Sequence, residues 1–254
     1  MSRRCSKVVT ALVLLFLYFP IVILVISSFN ESRFGSWGGA LSLKWYYKLF
    51  QEKEIWHALR NTLIIGTSAT LTATTLGTMA ALVLYRYKSR LQSAHYGILY
   101  APLFLPDILT GISLLIFFVS LQVQLGLFTI WIAHTTFCLS YVAFVMLTKL
   151  HHFDFSVLEA AQDLGASNFQ QWRYIAMPLL LPALSASAML AFTLSIDDFV
   201  ITYFVTGPAT PTLPIYIYGM MKFGTTPLIN ALSTLLLFAT LSIICLTRKA
   251  LSKV

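Results

Sequence analysis

Six long apolar stretches, separated by short polar segments, dominate the pattern of the chain. Each is about 20 residues or longer, the length that a helix needs to cross the hydrocarbon core of a bilayer. The pattern therefore predicts an all-α polytopic membrane protein whose residues 1–254 form a single transmembrane domain. The spans are expected at about 8–28, 62–85, 97–121, 127–147, 179–204 and 228–247.

The first apolar stretch follows Arg3, Arg4 and Lys7, so a secretory signal peptide is an alternative to a membrane span. The stretch is longer than the apolar region of a typical signal peptide and contains Pro20. It also lacks a small-residue cleavage site before Ser27. We interpret it as an uncleaved first span.

Composition supports a membrane protein and argues against a nucleic-acid-binding one. The chain is 58% hydrophobic and 10% charged, against about 45–50% and about 25% in soluble domains. The net charge of +8 arises from basic residues that lie mainly at the ends of apolar stretches. Cys5, Cys138 and Cys245 have no paired spacing, so neither a disulfide framework nor a metal site is expected. His134 is interpreted as a lone polar group.

The distribution of basic residues predicts the orientation, because cytoplasmic loops carry an excess of Lys and Arg. With the N-terminus inside, eleven basic residues are cytoplasmic and six are external. The cytoplasmic set is Arg3, Arg4, Lys7, Arg86, Lys88, Arg90, Lys149, Arg173, Arg248, Lys249 and Lys253. Both termini and the segment around Glu159 are therefore expected in the cytoplasm.

A polar segment at about residues 154–178 separates the fourth and fifth spans. Ser156–Glu159 and Ser167–Gln170 each match the capping box that begins a helix. Gly165, between them, suits the left-handed conformation that often follows the end of a helix. The sequence therefore predicts two short helices joined at Gly165. The alternative is an ordinary loop that folds on the membrane surface.

Three acidic residues fall inside the predicted spans, which contain no basic residue. Asp107 follows Pro106 in the third span, and Asp197 and Asp198 lie in the second half of the fifth. A charge at the bilayer centre costs about 2.5–3.5 kcal/mol on insertion scales, so such acids suggest a functional site. The complementary ligand is a positively charged solute. The alternative for Asp197 and Asp198 is solvation near the outer interface.

Further candidates follow from these acids. Adjacent residues of a helix do not share a face, so we expect only one of Asp197 and Asp198 to point into a pathway. Trp131 and Tyr203 are candidates for cation–π contacts with the solute. Aromatic residues within spans also serve as packing or interface anchors, and that alternative stays open for both.

Several motifs resemble those of ABC importer permeases. Glu159-Ala160-Ala161, followed by Gly165, is similar to the coupling motif of these proteins. Pro106-Asp107-Ile108 and Phe192–Ser195, followed by the paired acids, resemble the permeases of bacterial spermidine/putrescine importers. The resemblance extends over the whole chain.

The resemblance implies a type I ABC importer permease fold with six spans, cytoplasmic coupling helices and no catalytic residues. Glu159, Ala160, Ala161 and Gly165 would transmit closure of an ATPase dimer to the spans. The chain would move polyamines through the bacterial inner membrane, with a homologous second permease and a periplasmic polyamine-binding protein. It would need no cofactor of its own, because the ATPase subunits bind ATP.

Three other functions are consistent with part of the pattern. One is a related importer permease for another cationic or amine-bearing solute. A stand-alone cation channel or secondary transporter has no need for the segment around Glu159. A purely structural membrane scaffold leaves the acids in the spans unexplained.

Overall fold

The computed structural model describes residues 3–31, 40–222, 224 and 226–251, with side chains described for 7–31, 40–222, 224 and 227–242. These residues form twelve α-helices, one π-helical turn and one isolated β-bridge. The α-helices are α1 Arg3–Ser28, α2 Lys44–Gln51, α3 Lys53–Arg86, α4 Gln92–Phe104, α5 Asp107–Ser120, α6 Leu127–His151, α7 Ser156–Asp163, α8 Asn168–Gln171, α9 Met177–Asp197, α10 Val200–Val205, α11 Leu213–Lys222 and α12 Thr226–Leu251. The π-helical turn, Trp172–Ala176, lies between α8 and α9.

Four helical stretches among the described residues are long and apolar enough to cross a membrane. They are Lys7–Ser28, Lys53–Arg86, Leu127–His151 and Asn168–Asp197. The pair α4 and α5 adds a fifth candidate, although its two helices meet at an angle of 110°. Pro227–Ser242 is a shorter apolar stretch at the place of the predicted last span. The total of six spans therefore stays a prediction.

The chain divides into two compact units, residues 1–57 with 216–254 and residues 58–215. In the first unit, α12 packs against α1 and α2. The end of α1 is joined to α2 by polar contacts: Trp45 Nε1 donates to the Asn30 carbonyl at 2.9 Å, and the hydroxyls of Ser28 and Tyr46 lie 2.7 Å apart. These contacts fix the turn that leads out of the first helix.

The second unit is built around α6, which packs against α4, α9 and α10. Its buried side chains include Ile130, Cys138, Val142 and Met146. Cys138 is thus a small buried residue with a free thiol. The side chains of Cys5 and Cys245 lie outside the described residues.

Glycines allow two further pairs of helices to approach closely. A Cβ added to Gly77 of α3 would lie 2.9 Å from both the Leu139 carbonyl oxygen and the Val142 side chain of α6. A Cβ on Gly111 of α5 would lie 2.6 Å from the Phe204 ring of α10. Small residues serve this purpose in membranes, where lipid gives no hydrophobic drive for helices to associate.

Two of the predicted spans are broken. The third bends at Pro106, which cannot continue the hydrogen-bond ladder of α4. The continuous fifth span predicted at 179–204 is instead α9 followed by α10, a correction to the sequence prediction. The break falls at Asp198, whose backbone is extended (ψ 123°). Its side chain accepts from the backbone N–H groups of Ile201 and Thr202 and so begins a new helix.

Candidate functional site

The polar segment between α6 and α9 forms two short helices joined at a glycine, which confirms that prediction. Gly165 follows α7 with φ +87°. Its N–H donates to the Gln162 carbonyl at 2.8 Å, and the Ala166 N–H donates to the Ala161 carbonyl at 3.0 Å. This pair of bonds is a Schellman motif, which satisfies the last carbonyls of a helix and sets the angle of the next element.

The two predicted capping boxes have different outcomes. At α8, the Ser167 N–H donates to Gln170 Oε1 at 2.8 Å, and the Gln170 N–H donates to Ser167 Oγ at 3.4 Å, so this box is confirmed. The box at Ser156 is wrong, because Ser156 is already the first helical residue of α7. Asp154 replaces it by accepting from the Ser156 N–H at 3.0 Å. Hydrogen bonds from the side chain and backbone of Ser156 lower the pKa of the Asp154 carboxyl.

The surface of this segment is unusually apolar for a polar loop. Leu164 is 90% exposed, Phe169 73% and Tyr174 71%. Glu159 and Ala160 are exposed, and Ala161 is half-buried. A groove of about 380 Å³ is lined by Leu164, Gly165, Ala166, Gln170, Tyr174 and Ile175. Exposed apolar patches bordered by polar groups mark sites of protein association.

The segment leads into a spanning helix without an intervening loop. Asn168–Asp197 is one helical stretch, in which the π-helical turn connects α8 to α9. α7 packs against α8 and against this turn. A displacement of α7 and α8 would therefore be carried into α9 through continuous helix.

The three predicted pathway acids lie in different environments. Asp107 is the first residue of α5 and is exposed. Asp197, the last residue of α9, is also exposed. The Asp198 side chain is only 8% exposed. The alternative of simple solvation therefore does not hold for Asp198.

Asp198 belongs to a buried polar network centred on His134 of α6. His134 Nε2 lies 3.4 Å from Asp198 Oδ2 and 2.8 Å from Thr202 Oγ1, and its Nδ1 lies 2.7 Å from Ser195 Oγ. The Thr202 hydroxyl donates to Asp198 Oδ2 at 2.7 Å. The interpretation of His134 as a lone polar group was wrong. The sequence did contain a signal for this pair. His134 and Asp198 both lie in apolar spans, where an unpaired polar or charged side chain is costly, so a contact between them could have been expected.

The two predicted aromatic candidates lie in other surroundings. Trp131 is half-buried in an apolar cavity of about 350 Å³ between α3, α4 and α6, whose lining residues include no acid. Tyr203 is 52% exposed, and its ring packs against Phe199 and Phe204. Cation–π roles for both stay predictions. Within the described part of the chain, no group of three or more His, Cys, Asp or Glu side chains could hold a metal ion.

The fold combines interrupted apolar helices with a two-helix insert that leads into one of them. A crystal structure of a bacterial ABC transporter involved in import of the acidic polysaccharide alginate has this fold, with a TM-score of 0.72 at 16% identity, covering 98% of this chain and 97% of that chain. Residues 73–249 match the family described as binding-protein-dependent transport system inner membrane component, and the chain belongs to this family.

Two curated relatives are similar over most of their length. The spermidine/putrescine transport system permease protein PotC of Escherichia coli (strain K12) is 43% identical over 89% of this chain and 86% of its own. The putrescine transport system permease protein PotI of the same strain is 42% identical over 88% of this chain and 82% of its own.

Proposed function

We propose that the chain is a membrane-spanning permease subunit of an ATP-driven importer that moves polyamines into the cytoplasm. The observation that carries the proposal is the identity above 40%, over almost nine-tenths of the chain, with permeases of spermidine and putrescine systems. The chemistry of the helical domain supports the same substrate class, because exposed carboxylates in an apolar protein suit a polycation.

Asp107 and Asp197 are the acids available to the solute in this proposal. Each is exposed at the end of a helix, beside a break in the apolar structure. Binding by one or two carboxylates is weak, and this favours release to the cytoplasm. Selectivity is then assigned mainly to a periplasmic binding protein, in line with the family description.

ATP would be bound and hydrolysed by partner subunits, with a second permease completing the pathway. Glu159, Ala160, Ala161 and Gly165 would contact the ATPase on the cytoplasmic side. The exposed Leu164, Phe169 and Tyr174 give this contact an apolar component. The continuous helix from α8 into α9 gives it a mechanical route.

The test is uptake of radiolabelled spermidine and putrescine by cells that lack their own importers. The cells would express this chain with its cognate ATPase, second permease and binding protein. Glu159→Ala would be compared with Glu31→Ala, which also removes an exposed carboxylate but from the opposite predicted side. We expect ATP-dependent uptake that Glu159→Ala abolishes and Glu31→Ala preserves.

Two results would contradict parts of the proposal. If an assembled complex takes up no polyamine, the assignment of polyamines as the substrate is wrong, and other cationic or amine-bearing solutes should be tested. Uptake that survives Glu159→Ala and does not depend on ATP would remove the coupling role and favour a channel or secondary transporter.

A further inference from the structure

The break between α9 and α10 is held from outside by one side chain of α6. His134 contacts Ser195, which precedes the break, through Nδ1 and Thr202, which follows it, through Nε2. The His134 side chain is 1% exposed, so these contacts are shielded from solvent. A single imidazole thus bridges the two halves of the fifth span.

The Asp198 carboxylate is held by several contacts of its own. Its Oδ1 accepts from the Ile201 N–H at 3.3 Å, and its Oδ2 accepts from the Thr202 N–H at 2.8 Å and the Thr202 hydroxyl at 2.7 Å. His134 adds a further contact at 3.4 Å. A cationic solute would have to displace several buried hydrogen bonds to reach this carboxylate, each of which is costly to leave unmade.

Asp197 is in the opposite situation. It is exposed, although it is adjacent to Asp198 in the chain. Asp197 is the last residue of α9 and directly precedes the extended Asp198, so a change in the break would disturb the end of the helix that carries it.

We propose that His134 is a positioning residue: it fixes the break in the fifth span by binding Ser195, Thr202 and Asp198, and this leaves Asp197 as the acid that meets the cationic substrate. The identity of the substrate rests on the proposed function. The positioning of Asp197 by His134 does not, because it follows from contacts within this chain.

The experiment uses a reporter cysteine, Asp197→Cys, in the full complex in lipid nanodiscs, with Cys5, Cys138 and Cys245 replaced. A positively charged methanethiosulfonate reagent labels the thiol, and mass spectrometry of this chain gives the rate with and without spermidine. We expect labelling that spermidine slows. Adding His134→Ala should change the labelling rate about tenfold and abolish the protection, since it removes several buried hydrogen bonds.

Two variants accompany the reporter. His152→Ala, which removes an exposed histidine just after α6, is the matched control and should change nothing. His134→Gln keeps a hydrogen-bonding side chain and should restore part of the protection. If His134→Ala prevents assembly, Ser195→Ala removes one contact of the imidazole and should give an intermediate change in the labelling rate.

Transport kinetics provide a second measurement on the complex with its native carboxylates. Asp197→Asn should raise KM for spermidine and leave the thermal stability of the complex unchanged. Asp198→Asn should lower the thermal stability and the maximal rate. The reverse pattern, or labelling and protection that His134→Ala leaves unchanged in an assembled complex, would overturn the proposal.

The outcome separates the two proposals. If the complex with native Asp197 shows no saturable spermidine uptake, the substrate assignment fails. The effect of His134→Ala on the rate of labelling still decides whether His134 positions Asp197.

Discussion

Replacing Gly165 by alanine isolates the contribution of one backbone conformation to coupling. Gly165 has φ +87°, a region that residues with a side chain rarely adopt. A Cβ added there would meet no atom within 4 Å. The substitution therefore adds no clash and removes no side-chain contact, so its effect comes from the backbone alone.

The magnitude follows from the left-handed conformation. An L-residue other than glycine pays roughly 1–2 kcal/mol to adopt it. That energy corresponds to a factor of about 5–30 in the population of the arrangement seen here. The Schellman bonds that join α7 to α8 depend on this arrangement, so the apolar groove beside Gly165 would be formed correctly in a smaller fraction of molecules.

The assay is the affinity of the permease complex, in nanodiscs, for its ATPase subunit. We expect Gly165→Ala to weaken association about 5- to 30-fold, with a parallel loss of uptake at limiting ATPase. Gly165→Asn should lose less, because asparagine tolerates the left-handed region better. Gly97→Ala is the matched control, since its added Cβ also meets open space but lies within the regular helix α4.

Two results would refute this reasoning. Equal affinities for Gly165→Ala and Gly97→Ala would mean that the angle at Gly165 is not needed for docking. A loss of thermal stability of the whole complex in Gly165→Ala would mean that the substitution acts on the fold and not on the coupling segment.

Three further predictions follow from local contacts. Thr202→Val removes a hydroxyl that donates to a buried carboxylate and should lower the stability of the complex by about 1–3 kcal/mol in thermal unfolding. Gly207→Ala would push a Cβ into the Leu125 backbone carbonyl and should cost about 1–3 kcal/mol in the same measurement, whereas Gly219→Ala, with open space around it, should not. Asp154→Ala should weaken ATPase association equally at pH 6 and pH 8. The pKa of the Asp154 carboxyl is lowered by its hydrogen bonds to Ser156. The contribution of this carboxylate is therefore fully present above its ordinary pKa of about 3.9 and is lost only as the pH falls below that value.

The polar segment between α6 and α9 was largely predictable because its geometry is local. Gly165 and the box at Ser167 involve residues within three to five positions of one another, and sequence patterns record such contacts well. The box at Ser156 failed for a reason that is also local. Asp154 lies two residues earlier and takes the Ser156 N–H, so the helix begins before a serine cap can form.

The environment of the acids could not be predicted in the same way. His134 reaches Ser195 and Thr202 across 61 and 68 positions of sequence, and no short pattern records such a contact. The break at Pro106 had a residue that signals it, whereas the break at Asp198 has neither proline nor glycine. An aspartate that caps a helix inside an apolar span looks, in sequence, the same as one that binds a ligand.

The contacts of α6 relate the polar segment between α6 and α9 to the break at Asp198. α6 is hydrogen-bonded along α9 and α10 at three levels: Cys138 donates to the Ala191 carbonyl, His134 contacts Ser195 and Thr202, and Thr129 donates to the Val205 carbonyl. The polar segment connects the other end of α6 to α9. A force applied there reaches the broken span through α9, while α6 holds the far side of the break. In the proposed importer, an ATP-driven displacement of α9 would therefore move Asp197, the last residue of that helix.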